Sequence, residues 1–209
     1  VMADPEAGEA DQLVCTDPTD PNYDPAQPCK IENRDDRSTA SSIDLYYYGV
    51  DVGIGSMDFD FKYGQQNING DDRTVTVDAG ASVDSSGFNV FRITGNRNIF
   101  INHGDVTLNA AGQAVRMEAP NGPVTFRNTG NILGTVNGAT GVAIFATDGD
   151  VAVDNSGSIR SLGTSSGIGL VARATRGNVA INNSGTVANE SGFAALAGRA
   201  TDGSVTVTN

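Results

Sequence analysis

The chain has 209 residues and a formal net charge of −12, from 13 basic and 25 acidic side chains, with 26 glycines, two cysteines and no tryptophan. That charge repels phosphate backbones on average, and no basic aromatic face offsets it, so nucleic acid is excluded as an expected partner. No run of 18 apolar residues occurs, so no helix is expected to cross a membrane, and the length suits one domain or one domain with an appendage.

Residues 1–40 hold five of the seven prolines, both cysteines and ten acidic against three basic side chains. This composition predicts an acidic, loop-rich leader. The opening "VMADPEAGEADQ" has neither the basic nor the apolar region of a signal peptide. Cys15 and Cys29 bracket "TDPTDPNYDPAQP", and with no further cysteine and a single distant histidine, His103, a zinc site is not supported. A disulfide closing this loop is expected, with two free thiols as the alternative. Loop-closure entropy would make it worth about 3 kcal/mol, and it would imply an oxidising compartment. Asp17, Asp20 and Asp24 are candidate calcium ligands. They lack EF-hand spacing and its closing glutamate, so a solvated acidic loop competes; no other cofactor is expected.

Residues 41–70 contain "SSIDLYYYGVDVGIGSMDFDFKYG", with alternation at Ile43/Leu45 and at Met57/Phe59/Phe61/Tyr63. The segment reads as strands that cap the rod predicted beyond it, because a stack of strands exposes an apolar end and open edges unless something covers them.

From residue 71 to 209 the chain repeats itself. "DVAVDNSGSIRSLGTSSGIG" and "NVAINNSGTVANESGFAA" are near copies, and the glycine of "NSG" has counterparts at Gly80, Gly104, Gly130, Gly157 and Gly185, in steps of 24 to 28 residues. Two residues before each stand Asp78, Asn102, Asn128, Asn155 and Asn183, and Asn209 falls where the next is due. An alternating run precedes each anchor: Val75/Val77, Ile99/Ile101, Val124/Phe126, Val151/Val153, Val179/Ile181 and Val205/Val207. A second glycine (Gly87, Gly112, Gly141, Gly167, Gly192) opens a third run that closes on Gly122, Gly149, Gly177 or Gly203. Three short strands and three turns per unit predict an all-β, right-handed parallel β-helix with coils of about 24–28 residues. Stacking at about 4.8 Å would give a rod of roughly 25–30 Å, and would turn Asn102, Asn128, Asn155, Asn183 and Asn209 into a side-chain amide ladder. The sequence stops after the first strand of a new coil, which suggests a fragment of something longer.

The units "VAVDNSGSI" and "VAINNSGTV", with "GIGLVARATRGN" between them, resemble the repeats in passenger domains of autotransporters, the type V secreted surface proteins of Gram-negative bacteria; related filamentous-haemagglutinin-like adhesins use similar coils. The resemblance covers roughly residues 73–209. It implies export through the periplasm and an outer-membrane barrel that this sequence does not contain, folding outside the cell as a rod, and closely spaced cysteine pairs such as Cys15 and Cys29. The expected role is that of a non-catalytic extracellular adhesin or surface scaffold, whose partner is a host or neighbouring-cell ligand or glycan. A filament or surface-layer subunit binding copies of itself is the alternative.

Parallel β-helices also carry polysaccharide lyases and hydrolases, whose chemistry needs convergent carboxylates, or calcium beside a base. Asp148, Arg176 and Asp202 occupy equivalent corners and are expected to form a surface charge ladder. Arg173 and Arg199 share one face and are candidates for contact with an anionic glycan. His103 sits in a corner with no G-x-S-x-G elbow, so no catalytic triad is predicted. The longest corners, Gly134–Ala139 and Leu162–Ser166, are further candidate contact loops.

Overall fold

The computed structural model describes residues 66–163, 167–190 and 193–209, with the backbone of four earlier strands, Cys29–Ile31, Leu45–Tyr47, Asp51–Ile54 and Asp58–Phe59. The described residues contain strands and turns, with no helix. From Leu45–Tyr47 onward, strands three apart in the chain pair with each other, always in parallel, so the chain winds as a parallel β-solenoid with three strands per coil.

The first sheet runs through Thr74–Val77, Asn98–Asn102, Val124–Asn128, Val151–Asn155, Val179–Asn183 and Val205–Thr208. The second holds Ser82–Ser85, Asp105–Leu108, Asn131–Gly134, Ser158–Ser161 and Thr186–Asn189. The third and longest holds Gln66–Asn69, Asn89–Thr94, Gly112–Ala119, Ala139–Asp148, Ile168–Arg176 and Ala194–Asp202. The four earlier strands extend these same sheets by backbone pairing, and Gln66–Asn69 is already a third-sheet strand paired with Asn89–Thr94. The other features expected of residues 1–65, namely the Cys15–Cys29 bridge, the calcium ligands Asp17, Asp20 and Asp24, and the cap side chains, lie outside the described residues.

Alternation explains the interior. Val124, Phe126, Val151, Val153, Val179 and Ile181 point inward from the first sheet, and Val83, Val106, Ile132 and Ile159 from the second; all are buried. Part of the core is aromatic. Phe91 and Phe100 pack at 5.2 Å between ring centroids, and Phe100 stacks on Phe126 at 5.8 Å with the planes 8° apart. On the third sheet the inward column Ile93, Met117, Ile144 keeps its bulk and then shrinks to Ala172 and Gly198 over the last two coils. At Gly198 a Cβ would come within 2.9 Å of Val205 Cγ1, so the space a side chain would need is already filled from the facing sheet.

Three details differ from the expected register. In "NIFIN" it is Phe100 that is buried, and Ile99 and Ile101 lie on the outer face, because Phe100 pairs with Val75 below and Phe126 above. Three consecutive apolar residues allow either phase, and the flanking Asn98 and Asn102, both buried, select this one. In the coil below, Val77 pairs with Asn102 and Ser82 with Asp105, so Ala81, not Gly80, lies beneath Gly104. The second glycines are also not one column. Gly112 pairs with Ala139, and Gly141 falls opposite Gly169, because these corners differ in length from coil to coil.

Candidate functional site

The first corner is built by Asn-x-Gly. Asn102 Nδ2 donates to Asn128 Oδ1 at 2.8 Å, Asn128 to Asn155 at 2.7 Å, Asn155 to Asn183 at 2.6 Å, and Asn183 to Asn209. The same amides reach the carbonyl of the glycine two residues on, as in Asn102 Nδ2 to Gly104 O at 3.0 Å. Each rung from Asn102 to Asn183 is buried, so the ladder satisfies polar groups that water cannot reach. The backbone uses the same corner. Asn128 O accepts from the N–H of both Ser156 and Gly157, and Gly130 O accepts from Ser158 N.

A second Asx series, which the sequence reading missed, holds the corner between the third and first sheets. Asp71 Oδ1 accepts from Asn96 N at 2.8 Å and Asn96 Oδ1 from Asn121 N at 2.7 Å; higher up, Asp150 Oδ1 accepts from Asn178 N at 2.7 Å and Asn178 Oδ1 from Ser204 N at 3.0 Å. Its sequence signal was the polar residue following the corner glycine in Gly70-Asp71, Gly95-Asn96, Gly149-Asp150 and Gly177-Asn178. These four glycines have φ between 123° and 153°, where a side chain is strained.

Charge is arranged in columns on the outside. Asp148, Arg176 and Asp202 are in register, but Arg176 turns to Asp148 and makes no ion pair with Asp202 among the described residues. That bond holds the Asp148 carboxyl below its ordinary range and Arg176 above its own. Asp72 is lowered likewise by Arg97 at 2.6 Å, and Asp71 chiefly by the backbone N–H of Asn96. On the third sheet Glu118 takes Arg116 at 2.6 Å and Arg92 at 3.2 Å. Burial opposes its ionisation most strongly, yet the bonds and charges of the two arginines together outweigh burial and lower it.

A carboxylate lowered on folding adds stability that is complete above its unfolded value and is lost as pH falls through the folded one. Acid unfolding is therefore expected to begin as pH drops below 4.5 and 3.8, the ordinary values for these groups. Glu118→Gln should remove part of that acid slope and, after solvent screening, cost about 0.5–1 kcal/mol at neutral pH. Urea titrations of both proteins across pH check this, and parallel curves would show that Glu118 contributes nothing.

Comparison with protein-family models, with curated proteins and with solved structures finds no match. The surface must therefore be read from its own chemistry. Arg173 and Arg199 are in-register neighbours on the outer face of the third sheet, both exposed, and neither forms an ion pair among the described residues. The Arg173 guanidinium lies 5.9 Å from the Phe145 ring centroid, and Arg116 lies 5.4 Å from the same ring. Phe145 thus steadies Arg173 in an outward pose.

A shallow groove of about 390 Å³ follows the first corner between the column Arg127, Asp154, Asn182 and the hydroxyl row Thr129, Ser156, Ser184. Asn182 Nδ2 bonds Asp154 at 2.9 Å, so these groups largely satisfy one another. His103 Nδ1 meets Thr129 Oγ1 at 2.7 Å in the same row, as a turn residue. Among the described residues no group of three or more His, Cys, Asp or Glu side chains is placed to hold a metal ion. The corner at Gly134–Ala139 packs tightly, with Ala139 N bonded to Val136 O at 3.1 Å, while residues 164–166 of the second long corner lie outside the described residues.

Proposed function

We propose that the chain is a non-catalytic extracellular surface rod, an adhesin or surface scaffold that forms the N-terminal part of an autotransporter-like passenger. The observation that carries this reading is the closed solenoid itself. Its interior is filled by apolar side chains and a buried amide ladder, while its outer faces repeat polar and charged side chains in register from coil to coil. A fold of this kind presents surfaces at fixed spacing, and the repeats that build it are those that resemble passenger domains. The role is geometric: a stiff stack carries its outward columns away from the cell and meets a ligand with them.

Electron microscopy of the protein purified without reductant, with sizing across concentration and a cell-attachment assay, tests the proposal. Single short rods that attach to cells are the expected result. Ordered filaments would replace it with a structural subunit, and release of unsaturated or reducing sugar ends from polysaccharides would replace it with an enzyme.

A further inference from the structure

We propose that Arg173 and Arg199 form a paired anion site that takes the carboxylate or sulfate groups of an acidic polysaccharide lying across the third sheet; this rests on the reading of the chain as a surface rod. Two guanidiniums in register on adjacent strands sit about 4.8 Å apart in backbone spacing. Like charges directly opposite each other destabilise a sheet. On a chain with 25 acidic side chains a neutralising partner would be easy to place, and several other arginines among the described residues have one: Arg97, Arg160 and Arg176 each pair with a carboxylate, and Arg92 and Arg116 share Glu118. The carboxylate in the same column, Glu118, stands two coils below Arg173 and is already held.

The surroundings suit a sugar acid. Thr175 and Thr201, exposed two residues further along the same strands, offer hydroxyls beside the two forks. Guanidinium forks bind carboxylate or sulfate in two-point geometry, and Phe145 limits the freedom Arg173 would lose on binding. A nucleic acid, by contrast, depends on many neutralised phosphates, and two cations on a chain of net charge −12 do not supply them.

The test is titration of the whole chain with polygalacturonate, heparin, dextran and single-stranded DNA at low and raised salt. Wild type is expected to bind at least one of the two acidic polysaccharides, with polygalacturonate and heparin separating carboxylate from sulfate as the anion, and to ignore dextran. The double variant Arg173→Gln, Arg199→Gln should bind at least about tenfold more weakly, while Arg127→Gln, on the first sheet, should not differ. Without ligand at low salt, the double variant and Arg199→Gln alone should melt no lower than wild type, since a like-charge contact is removed; this separates lost binding from lost folding. Failure of wild type to bind either polysaccharide, equal weakening by Arg127→Gln, or equal affinity for DNA would overturn the proposal. Cell attachment that survives in the double variant overturns this site and leaves the surface reading intact; polysaccharide binding without cell attachment does the reverse.

Discussion

Gly157→Ala is expected to destabilise the rod by about 3 kcal/mol or more, among the largest effects of any single methyl added to this chain. A Cβ there would meet Gly130 O at 2.1 Å, the carbonyl carbon of Thr129 at 2.6 Å and Asn128 Nδ2 at 2.9 Å. The first two are backbone atoms of the coil below, and those coils are fixed by Ser156 N to Asn128 O at 2.8 Å and Ser158 N to Gly130 O at 2.9 Å. Neither can yield without opening the stack. The same clash recurs at Gly130 and Gly185, so the glycine is required by close approach of successive backbones. Gly80→Ala is the control: its φ of 84° disfavours a side chain, but nothing lies within 4 Å, so only a conformational cost of about 1 kcal/mol is expected. Urea unfolding of the two variants measures the contrast, and equal losses would refute the stacking argument. Because each coil depends on its neighbours, a reduced m-value in Gly157→Ala would show the upper coils unfolding separately.

Asn155→Ala should cost about 2–4 kcal/mol. It removes the rung that accepts from Asn128 Nδ2 and donates to Asn183 Oδ1, and it strands both partners in a corner where Asn128 and Asn155 are almost fully buried. The loss per rung exceeds that of a surface bond because no water replaces it. Asn155→Asp separates shape from donor capacity. The carboxylate keeps the volume and can still accept from Asn128, but it faces Asn183 Oδ1 with no proton to offer. Burial raises its folded pKa above its unfolded value, so its penalty is present above that folded value and is relieved as pH falls through it. The Asn155→Asp protein should therefore gain on the wild type under mild acid, whereas Asn155→Ala should not. A pH-independent deficit for both variants would mean that the amide acts by packing alone.

Much of this architecture is legible in one dimension because a parallel solenoid pairs each residue with another about one coil away. Repetition in the sequence then becomes adjacency in space, and the Asn102 to Asn209 ladder follows from a period. The less regular units behave otherwise. Between Val77 and Asn102 the step is 25 residues, and between Ala81 and Gly104 it is 23. A count anchored on Gly80 therefore lands one residue from the true register, since counting cannot say on which side of a corner an insertion lies. "NIFIN" shows the same limit in a strand, where apolar neighbours leave the inward phase undetermined until Phe100 meets Phe126.

The surface was less legible than the core. Spacing placed Asp148, Arg176 and Asp202 in one column, but the choice of Asp148 over Asp202 as the partner of Arg176 depends on side-chain direction. Spacing sets Phe145 one coil from Arg173, in register and 28 residues away, but that the guanidinium lies 5.9 Å from the ring centroid depends again on side-chain direction.

What the sequence by itself determined is the repeat, the three-strand coil and the residues that must be small or amide-bearing at the first corner, since backbone sterics and buried hydrogen bonding recur from Asn102 upward in each successive coil. The tertiary structure alone decided the register across irregular corners, the Asx bonds after the third-corner glycines, and which arginines are neutralised. Those depend on where a side chain points once coils of unequal length are stacked, a property that a period does not contain.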